Sequence, residues 1–532
     1  MYVWKNRINE NEMAITTTFD KETWDTLHNN GPFPLKKLHI TQLEGSTNMP
    51  SKFDRYKDAA TEVQRLIGIA ASQNEGFRAY GARWSLSYIA HQKEHMHYNR
   101  KMNLHIPVLP ENMEAGSLYK AENLFFFECG NTIKRISEVL FSHGKSLKTS
   151  GASNGQTIAG CISTGVHGSA LDVGAVQDYV VGINLIIGDQ PGDIVYLERS
   201  SRPALNKGFA DTINSRIIRD DDLFNAALVG LGAFGFIHGV AIEAENLFLL
   251  KRYVRKIDKN IALQLADTMD FTNSSFKIPG ETSTVGKPLI PYHYKVFMNP
   301  YIDDQQYVVE LMYKKPYSTA YPDPFPVIET SIYRDLIYLL VRISEKFPQS
   351  IPWFIKKLEK SILPDVDEET LGTLYETFWD APYQGPAFAC SVGVDHKDAS
   401  KAYQLLEAMT RKEGPIPGIF AMRFVKQTEA TLGFTKFPIT CMLEIDGVLW
   451  KKSEKLLSLR EYGTKMIETL QANHIPFTIH WGKNSDWAFP GLVNYMFGNK
   501  ATEWKQQRNS LLSPKMQKVF SNQFLKDLQL TT

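Results

Sequence analysis

The sequence lacks most of the features that mark specialised classes of protein. Only four of its 532 residues are cysteine, and they form no CxxC pair or Cys/His group with the spacing of metal ligands. We therefore expect no metal site. Lysine and arginine (59 residues) balance aspartate and glutamate (58 residues), so the chain has no overall field that would hold a nucleic-acid backbone. We expect no nucleic-acid partner.

Long apolar runs and the P-loop of nucleotide-binding proteins are missing too. No stretch approaches the roughly 18 apolar residues that cross a bilayer, and the charged, polar start of the sequence lacks the apolar core of a signal peptide. We expect a cytoplasmic protein. The glycine turn at residues 81–85 is not a GxGxxG turn, and the sequence has no GxxxxGK(S/T) loop, so nicotinamide and P-loop nucleotide sites lose their usual support.

What is present is the composition of a folded protein with more than one structural unit, since 43% of the residues are hydrophobic and 22% are charged. From about residue 56 to residue 246, short β-rich runs alternate with glycine-rich turns and short helical patterns. From residue 247 the strands and helices become longer, and residues 475–532 return to the strand-and-turn pattern of the first half. This organisation predicts a second domain and a discontinuous first domain.

An amphipathic stretch lies inside the second domain. Apolar residues from Ile332 to Phe347 repeat with helical spacing, and IPWFIKKLEKSIL continues the pattern after Pro348. The favoured interpretation is a pair of helices that pack on a sheet. The alternative is a basic amphipathic face that contacts a membrane or guards an apolar substrate entrance.

The first chemistry-bearing motif is Gly81-Ala82-Arg83-Trp84-Ser85, which follows a predicted strand at residues 76–80. A strand that ends in a glycine turn with hydroxyl side chains presents backbone N–H groups in a concave nest, which suits a phosphate or pyrophosphate. Taken alone, the pattern is more typical of an ordinary surface turn.

The second motif is TSGASNGQTIAGCISTGVHGSA at residues 149–170, which has five glycines between positions 151 and 168. Glycine is too frequent here for an ordinary helix or strand. The missing side chains permit close approach to a large planar ligand. Side chains that offer hydrogen bonds are Ser153, Gln156, Ser163, Thr164 and His167. The alternative interpretation is a tight loop between packed strands.

With two further motifs, residues 221–245 and IHWGK at residues 479–483, the chain resembles the flavin-dependent oxidases of the vanillyl-alcohol oxidase superfamily. Within it the chain is most similar to the sugar-lactone and alditol oxidase branch. The resemblance implies an α+β fold in which a PCMH-type FAD-binding domain, residues 1–246 and 475–532, is interrupted by an α+β cap domain, residues 247–474, built on an antiparallel sheet.

The resemblance also implies which residues contact FAD. In the family the turn carries the pyrophosphate, the glycine-rich segment passes close to the isoalloxazine ring, and a later strand meets the cofactor through its backbone. Carried over residue by residue, the predicted cofactor contacts are Gly81, Ala82, Arg83, Trp84, Ser85, Gly151, Ser153, Gln156, Gly160, Ser163, Thr164, His167, Gly168 and Ile237.

Three positions refine this expectation. The family turn is Gly-x-Gly-His-Ser, and its histidine often bonds covalently to the flavin, whereas this chain has Trp84. Cys161 fits a small buried side chain better than a second covalent link, so we expect noncovalent, dissociable FAD. At the position of Gly151, a glycine accompanies oxidases among the relatives and an alanine accompanies a dehydrogenase, which favours O2 as acceptor.

Flavin oxidation of a CH–OH group requires a base for the hydroxyl proton and positive charge near the reduced flavin. Lys483 resembles the family lysine that borders the substrate pocket, and His480 belongs to the same motif. If these residues form a strand, the two side chains face opposite ways. Arg423 matches the arginine of the family's Glu-x-Arg strand. The glutamate of that pattern is replaced by Ala421, and Glu444 is a possible substitute acid.

The leading functional hypothesis is an FAD-dependent oxidase of a small alcohol, polyol or sugar lactone, with transfer of electrons to O2 and release of H2O2. Three alternatives stay open. The first is a dehydrogenase that reduces a quinone or a protein, with residues 332–361 as its docking surface. The second is an oxidase of a sterol-like or aromatic alcohol, in a pocket lined by Trp353, Phe354, Trp379 and Tyr383. The third is a flavin-binding protein without turnover.

Overall fold

A computed structural model describes seven ranges of the chain: residues 14–42, 51–282, 288–303, 305–322, 347–377, 385–450 and 456–531. In these ranges the protein is a mixture of helices and sheets. Most of the Ile332–Phe347 stripe lies outside the described residues. Among the helices of the described ranges, none is both long and apolar enough to cross a membrane.

The N-terminal region forms a four-stranded sheet and a small ribbon. The strands of the sheet are β1 (Ile15–Asp20), β4 (Lys37–Gln42), β5 (Phe77–Tyr80) and β6 (His95–Tyr98), and the ribbon pairs β2 (Thr23–Trp24) with β3 (Phe33–Pro34). In the sheet the order is β1-β4-β6-β5, with β1 antiparallel to β4 and both β4 and β5 parallel to β6.

A six-stranded sheet follows in the chain. Its strands are β7 (His105–Pro107), β8 (Leu124–Glu128), β10 (Val180–Ile186), β11 (Ile194–Glu198), β12 (Arg216–Arg219) and β13 (Phe236–Glu243), in the order β12-β11-β10-β13-β8-β7. A ribbon of β9 (Lys145–Ser146) and β14 (Glu245–Asn246) lies beside it. Every residue of β8, β10 and β11 is buried, which is typical of strands covered on both faces.

The remaining strands form one eight-stranded antiparallel sheet, here called the cap sheet. Its strands are β15 (Phe248–Asp258), β16 (His293–Met298), β17 (Gln306–Pro316), β18 (Glu369–Thr373), β19 (Ala387–Asp395), β20 (Gly418–Lys426), β21 (Ile439–Val448) and β22 (Phe477–Ile479), in the order β18-β15-β17-β16-β20-β21-β19-β22. The runs YHYKVFMNPYI and YVVELMYK predict half-buried strands, and they form β16 and β17. Half-burial is wrong for β17, in which residues 308–313 are all buried. Strand β22 comes from the C-terminal segment and pairs with β19.

Fourteen α-helices are described. They are α1 (Lys52–Ser72), α2 (Ile133–Ser142), α3 (Ile158–Thr164), α4 (Lys207–Thr212), α5 (Asp221–Leu228), α6 (Lys259–Thr268), α7 (Ile351–Ile362), α8 (Leu374–Thr377), α9 (Ala399–Glu413), α10 (Leu459–Ala472), α11 (Leu492–Phe497), α12 (Asn499–Leu511), α13 (Pro514–Val519) and α14 (Gln523–Asp527). Short 3-10 turns occupy Tyr88–Ala90, Pro110–Asn112, Ala121–Asn123, Val176–Tyr179, Pro348–Ser350 and His396–Asp398.

Two helices test the sequence patterns directly. Apolar residues at Ile133, Ile136, Val139 and Leu140 predict a helix that ends at His143-Gly144. It is confirmed as α2, and Gly144 follows it with a positive φ of 69°. The expectation that the glycine-rich segment excludes a helix is wrong for residues 158–164, which form α3. A β-carbon added to Gly160 would approach only the side chain of Thr157. Gly165 ends the helix in the left-handed conformation with φ 71°.

The cap sheet has two unlike faces because side chains alternate along each strand. On β20, Phe420, Met422 and Phe424 are fully buried on the side covered by α6, α9 and α10, and the ring of Phe420 lies 5.6 Å from that of Tyr403 on α9. Arg423 is on the opposite face. The C-terminal helices α12 and α13 pack on α5 and α1, which brings the end of the chain back to the first half.

Candidate active site

The turn after β5 is shaped by two close approaches. A β-carbon on Gly81 would collide with the side chain of Thr157, so the turn and the glycine-rich segment lie against each other. Arg83 has a φ of 62°, a left-handed conformation that is costly for any residue with a β-carbon. It occupies the position of the second glycine in the family's Gly-x-Gly-His-Ser turn. Arg83 therefore adopts a backbone conformation that a glycine would adopt without strain.

The turn is also tied to the C-terminal segment. The backbone N–H of Leu86 donates to Gly482 O at 2.8 Å, and Ser87 Oγ donates to Trp481 O at 2.7 Å. These bonds join residues that are almost 400 positions apart in the sequence. The turn at residues 81–85 and the IHWGK motif are therefore held together at one place.

A cavity of about 500 Å³ opens between this turn, the glycine-rich segment, the start of β13 and the charged face of the cap sheet. All of the predicted site residues except Gly168 line it: Gly81, Ala82, Arg83, Trp84, Ser85, Gly151, Ser153, Gln156, Gly160, Ser163, Thr164, His167, Ile237, Arg423, His480 and Lys483. Gly168 lies behind the wall, where a β-carbon would collide with Ser150 O.

The polar side chains of the glycine-rich segment differ in whether their hydrogen-bonding atoms already have partners within the protein. The hydroxyls of Ser163 and Thr164 donate back to the carbonyls of Ala159 and Gly160 in α3. Gln156 Oε1 is buried, and no donor to it is found among the described residues. A buried amide oxygen without a donor is costly. Gln156 is therefore suited to accept a hydrogen bond from a ligand.

On the cap sheet, Arg423 and Glu444 form a buried ion pair across β20 and β21. Arg423 Nε donates to Glu444 Oε2 at 2.6 Å, and a terminal guanidinium nitrogen donates to Oε1. Burial alone would raise the pKa of Glu444, but the charge and hydrogen bonds of Arg423 outweigh it and hold the pKa well below its ordinary value. The possible substitute acid of the sequence analysis is thus the partner of Arg423.

A second ion pair reaches the cavity wall directly. Lys483 Nζ lies 3.8 Å from Asp446 Oδ1, and 52% of the Asp446 side chain is exposed, on the side that lines the cavity. Although this surface is open to the cavity, the surrounding protein desolvates the carboxylate and raises its pKa. Lys483 opposes that shift, and Glu444 adds to it.

Residues 480–483 form a turn rather than a strand, which corrects the expected alternation. Strand β22 ends at Ile479, and the backbone N–H of Lys483 donates to His480 O at 3.0 Å. His480 and Lys483 therefore both line the cavity instead of facing opposite ways. Trp481 points into the core, where its Nε1 donates to Leu432 O at 2.8 Å.

The imidazole of His480 is held in an apolar setting. Its ring stacks on Phe434 with the ring centroids 4.4 Å apart, and Nδ1 accepts a hydrogen bond from the backbone N–H of Gly482. Burial, followed by the neighbouring His167 and Lys483, lowers the pKa of His480 well below its ordinary value. The ring is neutral at physiological pH and does not add positive charge to the cavity.

Sequence reasoning missed Asp446 and Arg78. Asp446 could have been found as the second acid of Glu-x-Asp in β21, since alternate residues of a strand share a face. Arg78 lies on β5 and lines the cavity. Its guanidinium donates to the carbonyls of Leu231 and Gly232, and no carboxylate of the described residues forms an ion pair with it. Burial, followed by repulsion from Arg508, lowers its pKa to about 9.

Cys161 and two of the aromatic pocket candidates lie among the described residues. Cys161 is fully buried, and burial raises the pKa of its thiol. Trp353 and Phe354 do not line the cavity, and 56% of Trp353 is exposed, so the apolar pocket expected from these side chains is wrong for this pair. Trp379 and Tyr383, the other two aromatic candidates, lie outside the described residues.

Curated relatives align with parts of the chain. A stretch of 124 residues, 23% of this chain and 19% of the relative, is 35% identical to L-gulonolactone oxidase 3 of Arabidopsis thaliana. Over 221 residues, 41% of this chain and 34% of the relative, it is 25% identical to a putative D-arabinono-1,4-lactone oxidase of Neurospora crassa. The resemblance to sugar-lactone oxidases is confirmed. The chain spans about a fifth to a third of the length of these two relatives, and no family model matches it.

Solved structures with the same architecture cover nearly the whole chain. The fold matches a cholesterol oxidase from B. sterolicum with a TM-score of 0.67 and 12% identity, covering 99% of this chain and 100% of that chain. A solvent-stable cholesterol oxidase matches with a TM-score of 0.61 and 11% identity, covering 96% and 97% of the two chains. The fold of the chain is that of these oxidases. At identities this low, the likeness supports the fold alone and not an activity or a substrate.

Proposed function

We propose that the chain is an FAD-dependent oxidase that converts the CH–OH group of a small alcohol, polyol or sugar lactone to a carbonyl, with O2 as the electron acceptor and H2O2 as a product. The observation that carries the proposal is the single cavity in which the turn at Gly81–Ser85 and the glycine-rich segment face the Arg423 and Lys483 side chains of the cap side. Relatives named lactone oxidases and the cholesterol oxidase fold support it.

The residues present fit a noncovalent flavin dinucleotide. The turn offers backbone N–H groups for the pyrophosphate, and Arg78 adds a buried cation that has no carboxylate partner among the described residues. Gln156 Oε1 offers a buried acceptor. Trp84 replaces the histidine that would form a covalent bond in the family. In this proposal residues 1–246 and 475–532 hold FAD, and residues 247–474 form the cap over the substrate.

When bound, FAD would accept a hydride from the substrate carbon. The protein supplies orientation and charge. Arg423 is fixed by Glu444 through two hydrogen bonds, so it presents a cation to the cavity without having to reorganise. Lys483 presents a second cation beside Asp446. Together these two groups would bind substrate oxygen atoms and stabilise negative charge in the cavity.

The charged wall favours a polar substrate over an apolar one. Arg423, Asp446 and Lys483 all line the cavity, and an apolar sterol would desolvate them without offering hydrogen bonds in return. We therefore place polyols and sugar lactones ahead of sterol-like and aromatic alcohols, although the fold is that of cholesterol oxidases.

Anaerobic mixing of the flavin-loaded protein with separate lactones, polyols and sterols tests the proposal. A member of the first two classes should bleach the flavin absorbance, and readmission of air should restore the colour and release one H2O2 per turnover. Bleaching by a sterol alone would contradict the substrate class. Recolouring by a quinone but not by air would contradict the oxidase. A flavin that no alcohol bleaches, although dithionite does, would favour a binding protein without turnover.

A further inference from the structure

Glu444 and Asp446 are separated by one residue on β21, and their surroundings differ. Glu444 and Asp446 lie on the same face of the strand, opposite Ala421 and Ile419 of β20 in the strand register. Only 2% of Glu444 is exposed, whereas half of the Asp446 side chain is open on the cavity wall. Only Asp446 is placed to touch a molecule in the cavity.

Glu444 has no oxygen to spare for proton transfer. Arg423 donates one hydrogen bond to each of its carboxylate oxygens. His167 Nε2 also lies 3.9 Å from Oε1. A carboxylate that is doubly hydrogen-bonded to a guanidinium stays ionised. Glu444 therefore acts as a fixed negative charge that orients Arg423.

Asp446 has the opposite properties. Its carboxylate accepts no hydrogen bond from any described residue, and the nearest cation, Lys483 Nζ, lies 3.8 Å away. That distance gives electrostatic attraction without a hydrogen bond. The oxygens of Asp446 therefore keep free lone pairs on the cavity side, beside the two cations that would hold a substrate oxygen.

We propose that Asp446 is the catalytic base that takes the hydroxyl proton of the substrate. The inference rests on the proposed function. The O–H bond breaks and its proton goes to an Asp446 oxygen, while the O–H electron pair becomes the second bond of the carbonyl. The C–H bond breaks and its electron pair leaves with the hydrogen as a hydride to the bound flavin, the oxidant that the proposed function supplies. Asp446 then returns its proton to water.

The charged groups around Asp446 set how its ionisation depends on pH. Lys483 follows β22, Arg423 projects from β20 and Lys295 from β16, and all three favour the carboxylate. Burial and the charge of Glu444 on its own strand favour the protonated acid, and the net effect is a raised pKa. Because the base must be ionised, the rate of substrate oxidation should rise with pH as Asp446 loses its proton and then reach a plateau.

The test compares Asp446→Asn, Asp446→Glu and the matched control Asp303→Asn, whose side chain is 85% exposed and pairs with Arg411. For each flavin-loaded protein, anaerobic flavin reduction by the best polyol or lactone is followed by stopped flow between about pH 5 and pH 9. FAD affinity is measured separately by quenching of flavin fluorescence. A carboxyl band that titrates in infrared difference spectra reports Asp446 without turnover.

We expect Asp446→Asn to slow flavin reduction at least about 100-fold, in the range typical of a lost general base, and to abolish the rising limb of the pH profile. Its FAD affinity should stay within threefold of the wild type, and it should lack the titrating carboxyl band. Asp446→Glu should recover part of the rate, and Asp303→Asn should behave like the wild type.

Reduction of Asp446→Asn within fivefold of the wild-type rate, with an unchanged pH profile, would overturn the assignment and leave the oxidase intact. Loss of FAD binding in Asp446→Asn would give the residue a structural role and overturn it as well. A wild-type protein that no alcohol reduces would instead overturn the proposed function, and this inference with it.

Discussion

Ala421 and Glu444 face each other across β20 and β21, and this pairing decides how Arg423 is held. Two residues along β20 from Ala421, Arg423 reaches the Glu444 carboxylate with two guanidinium nitrogens. In the Glu-x-Arg pattern of the resembling family, the acid stands at the position of Ala421. Here the acid, Glu444, comes from the neighbouring strand. The sheet therefore retains a carboxylate beside Arg423, although alanine stands at the family's acidic position.

Moving the carboxylate from position 444 to position 421 should therefore be tolerated. Glu444→Ala leaves the Arg423 guanidinium buried without its partner, and we expect a loss of about 3–5 kcal/mol in the free energy of unfolding. The double variant Ala421→Glu/Glu444→Ala puts a carboxylate on the same face two residues from Arg423 and should regain at least half of that loss. Urea unfolding measures both effects. A double variant no more stable than Glu444→Ala would contradict this account of the pair.

Gly151 links packing to oxygen use. A β-carbon at this position would lie 2.7 Å from Val166 Cγ1, so Gly151→Ala should be destabilised by about 1–3 kcal/mol through overpacking. Val166→Ala provides the missing space, and the double variant should regain most of the stability. In both variants we expect the reduced flavin to react with O2 at least tenfold more slowly, with anaerobic reduction by substrate little changed. Unaltered reoxidation in the double variant would refute a role for this position in oxygen access.

The left-handed turn residue gives a prediction about stability alone. Arg83 has a φ of 62°, which costs any residue with a β-carbon about 1–2 kcal/mol, while glycine avoids this cost and loses part of the gain as chain entropy. Arg83→Gly should be more stable than Arg83→Ala by about 1 kcal/mol. Both variants lose the same arginine contacts, so their difference reports the backbone. Equal midpoints in urea would show that the turn is not strained at this residue.

Buried histidines of the first sheet should make the protein sensitive to mild acid. Burial, followed by repulsion from neighbouring histidines, lowers the pKa values of His39 and His97 to about 3. Below the ordinary value of about 6.5, the unfolded chain binds these two protons and the folded chain does not, so stability falls as pH falls. We expect the two residues to remove about 4 kcal/mol between pH 8 and pH 5.

Unfolding in urea at each pH measures this loss. The double variant His39→Gln/His97→Gln, which lacks these two imidazoles, should show a shallower dependence over the same range. If the variant and the wild type lose stability in parallel, the two histidines do not cause the acid sensitivity.

Much of the fold could be predicted from local patterns. The apolar runs of β16 and β17 and the helical period of α2 depend on neighbouring residues, so the sequence displays them directly. The glycine-rich segment was harder. Its glycines suggested neither a helix nor a strand, but glycine can adopt helical dihedral angles, and Gly160 lies inside α3.

The parts of the candidate site that lie in local sequence motifs could be predicted. The parts that depend on contacts between distant strands could not. The turn, the glycine-rich segment and the IHWGK motif point to one cavity. The Glu444 partnership needs the register of β20 on β21, and the common facing of His480 and Lys483 needs the early end of β22. Those features depend on tertiary pairing, which no local periodicity records. The Glu-x-Asp spacing places Asp446 on the same face as Glu444, but which face of β21 borders the cavity is decided by tertiary packing.

Noncovalent FAD binding is tested by the absorption spectrum of the purified protein, recorded before and after acid precipitation. We expect the two visible bands of oxidised flavin in the native protein, and a yellow supernatant over a colourless pellet, because Trp84 cannot form the covalent bond of a histidine. A yellow pellet would contradict noncovalent attachment. A colourless protein that takes up no added FAD would contradict the flavoenzyme itself.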